Sequence, residues 1–147
     1  MATITGAQNG RPPLAATNEC GNAYLDVNKI TTPAVIAAGD VVVIATVPAG
    51  ILLSDLEIRN TDLDSGATLT GTLGYRSTKL VPDQAPVLNF FSAGFTQLQA
   101  ASAGYVAQVF EPIKFEEETQ IVFIASGAGT TAGTIWAKTR GAVIGVS

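Results

Sequence analysis

Oxygen donors are the first side chains in this sequence that could do chemistry. Asn60, Asp62 and Asp64 occupy alternate positions, the spacing at which a calcium loop offers oxygens to a hard cation. The glycine such a loop needs comes one place late, at Gly66, and Gly71 stands where a bidentate Glu is required, so a plain turn is the better reading. Asp55, Glu57, Asp62, Asp64 and Glu111 are the acids from which a glycoside-hydrolysing pair would have to be drawn. Such a pair is defined by its separation in space, and nothing in the order of these residues selects one. The glycine-rich stretch from Gly127 to Gly133 lacks the Lys and the following helix of a phosphate-binding loop. His is absent and Cys20 is the single Cys, which removes Ser-His-Asp and Cys-His nucleophiles, imidazole zinc sites and multi-Cys metal sites. No catalytic residue, metal-ligand set or cofactor site is therefore expected.

Two groups suit binding better than catalysis. Trp136, Lys138 and Arg140 fall on one face of the last predicted strand, where they could stack a sugar ring or a base. Cross-strand packing is the favoured role for Trp136. Near the N-terminus, Arg11-Pro12-Pro13, followed by Leu14, is a stiff extended element suited to a groove of another chain, and a frayed tail fits the same composition.

The elements that would carry these residues are strands. Residues 1–21 show no period and read as an N-terminal arm, and residues 22–147 read as one β-sandwich domain. From Asn22, Tyr24, Asp26 and Asn28 alternate with Ala23, Leu25 and Val27, as in a strand with one wetter face. Val41 to Val47 is a β-branched run suited to burial on both faces, and Pro48-Ala49-Gly50 turns the chain. Leu56 and Ile58 against Asp55, Glu57 and Arg59 give the strictest alternation. A partner strand runs from Leu69 to Arg76, in which Gly71 and Gly74 signal a bulge or the close approach of another backbone.

Between Pro82 and Gly104 the apolar spacing of Val87, Phe90, Phe91, Phe95 and Leu98 predicts a helix of two or three turns. Tyr105 to Phe110 is a short strand candidate, Glu116-Glu117-Glu118 a solvated turn, and Thr119 to Ala125 a buried strand. Ser126 to Gly133 then reads as a flexible hairpin loop before a last strand from Thr134 through Arg140. Short strands at this spacing predict a mainly β fold, an antiparallel β-sandwich or jelly roll with one short helix and an extended N-terminal arm.

The chain has 147 residues, of which only 14% are charged, against about 25% in ordinary soluble domains. Net charge is −4, and with eight Lys and Arg in all, nucleic acid is not an expected partner. Ala34 to Leu53 is nearly all apolar, but Asp40 and the turn signals divide it into two strands, so no membrane partner is expected. Met1 to Thr5 carries no secretory signal, and synthesis in the cytoplasm is expected. Poverty of charge on faces made of Thr, Ala and Gly suits contact between subunits.

The order of these signatures resembles the small structural proteins of tailed bacteriophages that are encoded beside the major capsid protein. The resemblance runs through Val41 to Val47 with Pro48-Ala49-Gly50, Leu56-Glu57-Ile58, Asp62-Leu63-Asp64, and Leu69 to Leu73-Gly74-Tyr75. It continues in Phe90-Phe91, Pro112-Ile113 with Phe115, Thr119 to Ala125, and Ala132-Gly133-Thr134-Ile135, and spans about Asn22 to Arg140. It implies a capsid decoration or cement protein: a β-sandwich or jelly roll, a homotrimer, bound to the major capsid protein on the outer surface of the virion where capsomers meet, and no enzyme. The residues alone leave a carbohydrate-binding module or a fibre or spike head, built on Trp136, Tyr75 and Tyr105, as the alternative.

Overall fold

The computed structural model describes residues 1–5, 15–18 and 21–145. In chain order the strands are β1 (Thr3–Thr5), β2 (Ala15–Asn18), β3 (Gly21–Thr31), β4 (Val41–Val47), β5 (Ile51–Asn60), β6 (Gly71–Ser77), β7 (Val87–Phe95), β8 (Val106–Ala107), β9 (Ile113–Phe115), β10 (Thr119–Ala125) and β11 (Thr134–Val143). They make a two-layer sandwich. One sheet has the order β1-β4-β10-β6-β7, and the other β2-β3-β11-β5-β8, with β9 also paired to β5, so β6, expected from the sequence to be the partner strand of β5, lies instead in the opposite sheet between β10 and β7. β1 runs parallel to β4, and the other pairings are antiparallel.

Facing side chains of the two sheets form the core: Val42 and Ile44 of β4, Leu73 and Tyr75 of β6, and Ile121 and Phe123 of β10 meet Leu56 and Ile58 of β5 and Ile135 of β11. Each large apolar side chain taken out of water there contributes about 1.5–3 kcal/mol. β4 is buried on both faces, as its unbroken β-branched run requires. Its second face forms a smaller cluster in which Val41 and Val43 join Val122.

Expected close backbone approach at the glycines of β6 is present. A Cβ on Gly74 would overlap the backbone of Val87 and Leu88, and one on Gly71 would overlap the carbonyl of Ile124. The backbone that lies so close to Gly74 is β7, the segment expected to be a helix. Leu73 pairs with Ser92 and Tyr75 with Val87, so two steps along β6 face five along β7. The surplus bulges out, period two is lost, and Phe91 and Phe95 reach the core at a spacing that imitates a helical face. Helical structure after it is a single 3-10 turn, Gln97–Gln99, which buries Leu98.

The aromatics gather at one side of the sandwich. Phe90 and Phe91 meet Phe110 edge-on at centroid distances of 6.2 and 4.8 Å, and Tyr75 meets Phe90 and Phe115 at 5.4 and 5.2 Å. They join β7 of one sheet to the segment between β8 and β9 of the other.

β3 reverses the expected pattern. Tyr24 and Asn28, assigned above to its wetter face, are buried, whereas Leu25 and Val27 are 50% and 41% exposed. Two-residue periodicity fixes which residues share a face, and here the inward set is the more polar one. Tyr24 OH accepts a hydrogen bond from Thr139 at 3.3 Å, and Asn28 Nδ2 donates to the Ile44 carbonyl across the sandwich at 2.7 Å. Burial pushes the Tyr24 phenol up to about 12.

Candidate interaction surfaces

The three residues expected to share a face on the last strand do share it. Trp136 lies on β11 between Lys29 of β3 and Arg59 of β5, Lys138 between Val27 and Glu57, and Arg140 between Leu25 and Asp55. The Arg59 guanidinium carbon is 4.7 Å from the Trp136 ring centroid and Lys29 Nζ is 5.9 Å away, so two cations occupy the neighbourhood of the indole. That geometry agrees with cross-strand packing as the role of Trp136. Lys138 reaches Glu57 at 2.9 Å and lies 4.3 Å from the Tyr105 ring centroid. Arg140 bridges Asp55 and Glu57 at 2.9 and 2.7 Å. The Lys138 ammonium, with Arg140 behind it, holds the Glu57 carboxyl below the usual range. Among the described residues Lys29 and Arg59 form no ion pair. The outer face of this sheet therefore joins exposed Leu25 and Val27 to a positive corner at Lys29, Trp136 and Arg59.

A different surface is built at the end of the sandwich by the β6–β7 connection, residues 78–86. Its tip carries Leu80 and Val81, 102% and 82% exposed. Its base is fixed by Glu117, which the sequence placed in a solvated turn and which is 3% exposed. Glu117 Oε1 accepts the Gln84 amide at 3.0 Å, and Oε2 meets Lys79 Nζ at 3.1 Å. The Gln84 amide and then Lys79 bring the Glu117 carboxyl down to about 2 in spite of burial. Gln84 Nε2 donates to the Lys114 carbonyl, Thr78 donates its amide and hydroxyl to the Glu118 carbonyl, and Lys79 pairs with Asp83 at 2.6 Å. A charge run in the sequence gave no sign that its middle member turns inward.

The candidate cation loop is a turn held by its own carboxylates. Asp64 is buried and accepts from the amides of Gly66, Thr68 and Leu69 and the hydroxyls of Thr68 and Thr130, which takes its carboxyl down to about 2, with the Leu69 amide the largest cause. Asp62 accepts the Asp64 amide, and Asn60 spends its Nδ2 on the carbonyls of Thr61, Gln97 and Ala100. These oxygens are aimed at the backbone and at one another's turn, not at a common centre. The loop expected to be a flexible hairpin, 126–133, instead crosses from one sheet to the other and is tied down along its course: Ser126 and Gly127 donate to Thr70, Thr130 and Thr131 to Leu63 of the same turn, and Gly129 to Ile36. Arg11, Pro12, Pro13 and Leu14 lie outside the described residues, as does Cys20.

No family model and no curated protein sequence matches this chain. Among solved structures, a chain from the capsid of Ralstonia phage GP4 is 26% identical, with 99% of both chains covered and a TM-score of 0.71. A chain from the capsid asymmetric unit of cyanophage Pam1, 16% identical, superposes over 93% of this chain and 96% of that one with a TM-score of 0.63, a likeness of fold. Two-layer architecture, strand content and nearly complete coverage thus make this chain similar, along almost its whole length, to chains of two bacteriophage capsids.

Proposed function

We propose that this protein is a structural component of a bacteriophage capsid that decorates and cements the shell from outside, as a homotrimer seated between capsomers on the major capsid protein. The observation that carries the reading is the likeness, over 99% of both chains, to a chain of the phage GP4 capsid. The exposed apolar residues give it physical support, since Leu25, Val27, Leu80 and Val81 cost nothing only when a neighbour covers them. Its role is mechanical and not enzymatic: stabilisation comes from apolar area buried between subunits, multiplied over many copies. Synthesis takes place in the host cytoplasm and the mature location is the virion. Arg11, Pro12, Pro13 and Leu14 belong to this reading as an arm that contacts the capsid.

Add-back to purified shells lacking the protein tests the proposal. The expected result is saturable binding at regular lattice sites in a cryo-EM reconstruction, together with shells that resist heating better. Shells that stay bare, or bind it without gaining heat resistance, reject the cementing role.

A further inference from the structure

β3 and the β6–β7 connection each expose two large apolar side chains where the surrounding structure had the means to hide them. On β3 the reversed phase turns Leu25 and Val27 outward while Tyr24 and Asn28 take the core positions. In the connection, a buried carboxylate, two lysine contacts and the Gln84 side chain bind the base of a loop whose tip holds Leu80 and Val81 out in water. Ordering a loop in this way serves no core, but it removes in advance the entropy that an interface would otherwise have to supply.

The two surfaces also differ in charge. Lys79 and the two carboxylates it meets, Asp83 and Glu117, leave one negative charge in excess, and exposed Glu118 adds to it. On the sheet, the apolar pair ends at Lys29, with Arg59 across the indole, and neither cation has an acid partner among the described residues. An acid-rimmed apolar tip and a base-rimmed apolar face are complementary, and complementary rims set orientation and suppress wrong pairings.

We propose that the Leu80–Val81 tip of one copy docks on the Leu25–Val27–Lys29 face of a second copy of this chain. Tip and face are different surfaces, one at the end of the sandwich and one on its side, so the contact is heterologous and each copy both gives and receives. Repetition of such a contact closes a ring when the rotation allows. The inference thereby supplies the copy-to-copy contact of the trimer proposed above, and rests on that reading in this respect alone.

Sedimentation velocity on the purified full chain, over a range of concentrations, tests it with Leu25→Asp, Leu80→Asp and Lys29→Glu. All three positions are exposed, and circular-dichroism melts check that the variants fold. The parent chain is expected to self-associate, and Leu25→Asp or Leu80→Asp to weaken association by more than about thirtyfold, the loss typical of a central apolar anchor. Lys29→Glu should weaken it by less. An equimolar mixture of Leu25→Asp and Leu80→Asp still holds one sound tip and one sound face, and should sediment as a pair that grows no further. A parent that stays monomeric, variants that associate as the parent does, or a mixture that forms no pair overturns the proposal. Binding to shells separates this outcome from the other reading: oligomers that ignore shells reject the capsid role and leave the inference standing. Loss of shell binding by Leu80→Asp with the oligomer intact assigns the tip to the shell protein and overturns it.

Discussion

Asp64 and Glu117 are acids held in place by amide donors, and their titration should be visible in the stability of the whole chain. Folding takes the Asp64 carboxyl from its ordinary 3.8 to about 2 and Glu117 from 4.5 to about 2. Both folded values are depressed, so in the window between them the unfolded chain binds more protons than the folded one, and acid favours unfolding. Their stabilising contribution is complete above the ordinary values and is lost as pH falls from about 4.5 towards about 2. Thermal melts should show a flat midpoint at higher pH and a fall across that window. Asp64→Asn should melt lower than the parent near neutral pH, because one amide oxygen cannot replace two carboxylate oxygens that together accept from three amides and two hydroxyls. The gap between the two should narrow as the window is crossed, and an equal gap at both ends would refute the role of Asp64. The Asn60–Asp64 cluster was legible as a turn. The inward course of Glu117 was not, because three consecutive acids carry no mark of which one will find an amide and an ammonium.

At the level of elements, hydropathy patterning found β5, β6 and β11 because apolar inward positions alternate with more polar outward ones, and β4 and β10 because nearly unbroken apolar runs suit strands covered on both faces. It misplaced β7 and the faces of β3 for different reasons. β7 carries extra residues against β6, so its core positions no longer alternate. β3 does alternate, but a period of two has two phases, and the one adopted buries Tyr24 and Ile30 in the core and gives Asn28 its bond to Ile44 and Tyr24 its bond from Thr139. Gly74→Ala tests the account of β7: a methyl group must push back the Val87–Leu88 backbone, and an unfolding titration should show a loss of about 1–3 kcal/mol, as overpacked sites do. A loss near zero would mean that β7 yields freely. Glu117→Gln should act more locally, weakening the hold on Lys79 and Gln84, so that hydrogen exchange speeds up at the Gln84 amide while protection within β10 persists. Equal loss of protection in both places would make Glu117 a core residue and not a loop anchor.

For the whole molecule, the resemblance in motif order and the structural likeness point to the same setting, a phage capsid, while the sandwich itself would serve many roles. The residues before β3 bear on how the sheets end. β1 pairs with β4, where the Val41 amide donates to the Ala2 carbonyl and the Ala2 amide donates to Asp40, and β2 pairs with β3. Deleting residues 1–20 removes one outer strand from each sheet and uncovers the edges of β4 and β3. The truncated chain should still fold around the same core, melt at a lower temperature and attach more weakly to shells. Attachment equal to the parent's would take the arm out of the capsid reading.

The sheet order also carries a consequence for synthesis. β11 sits between β3 and β5, and β10 between β4 and β6, so the strands that complete both layers are the last two described in chain order. Until they leave the ribosome, β4 and β6 of one layer, and β3 and β5 of the other, lack the strand that lies between them. Completion of the sandwich then waits until Val143 has been made, and a chain cut off before β11 lacks the middle strand of one layer. Strand order acts in this way as a check on length, since only chains made through β11 can close both sheets.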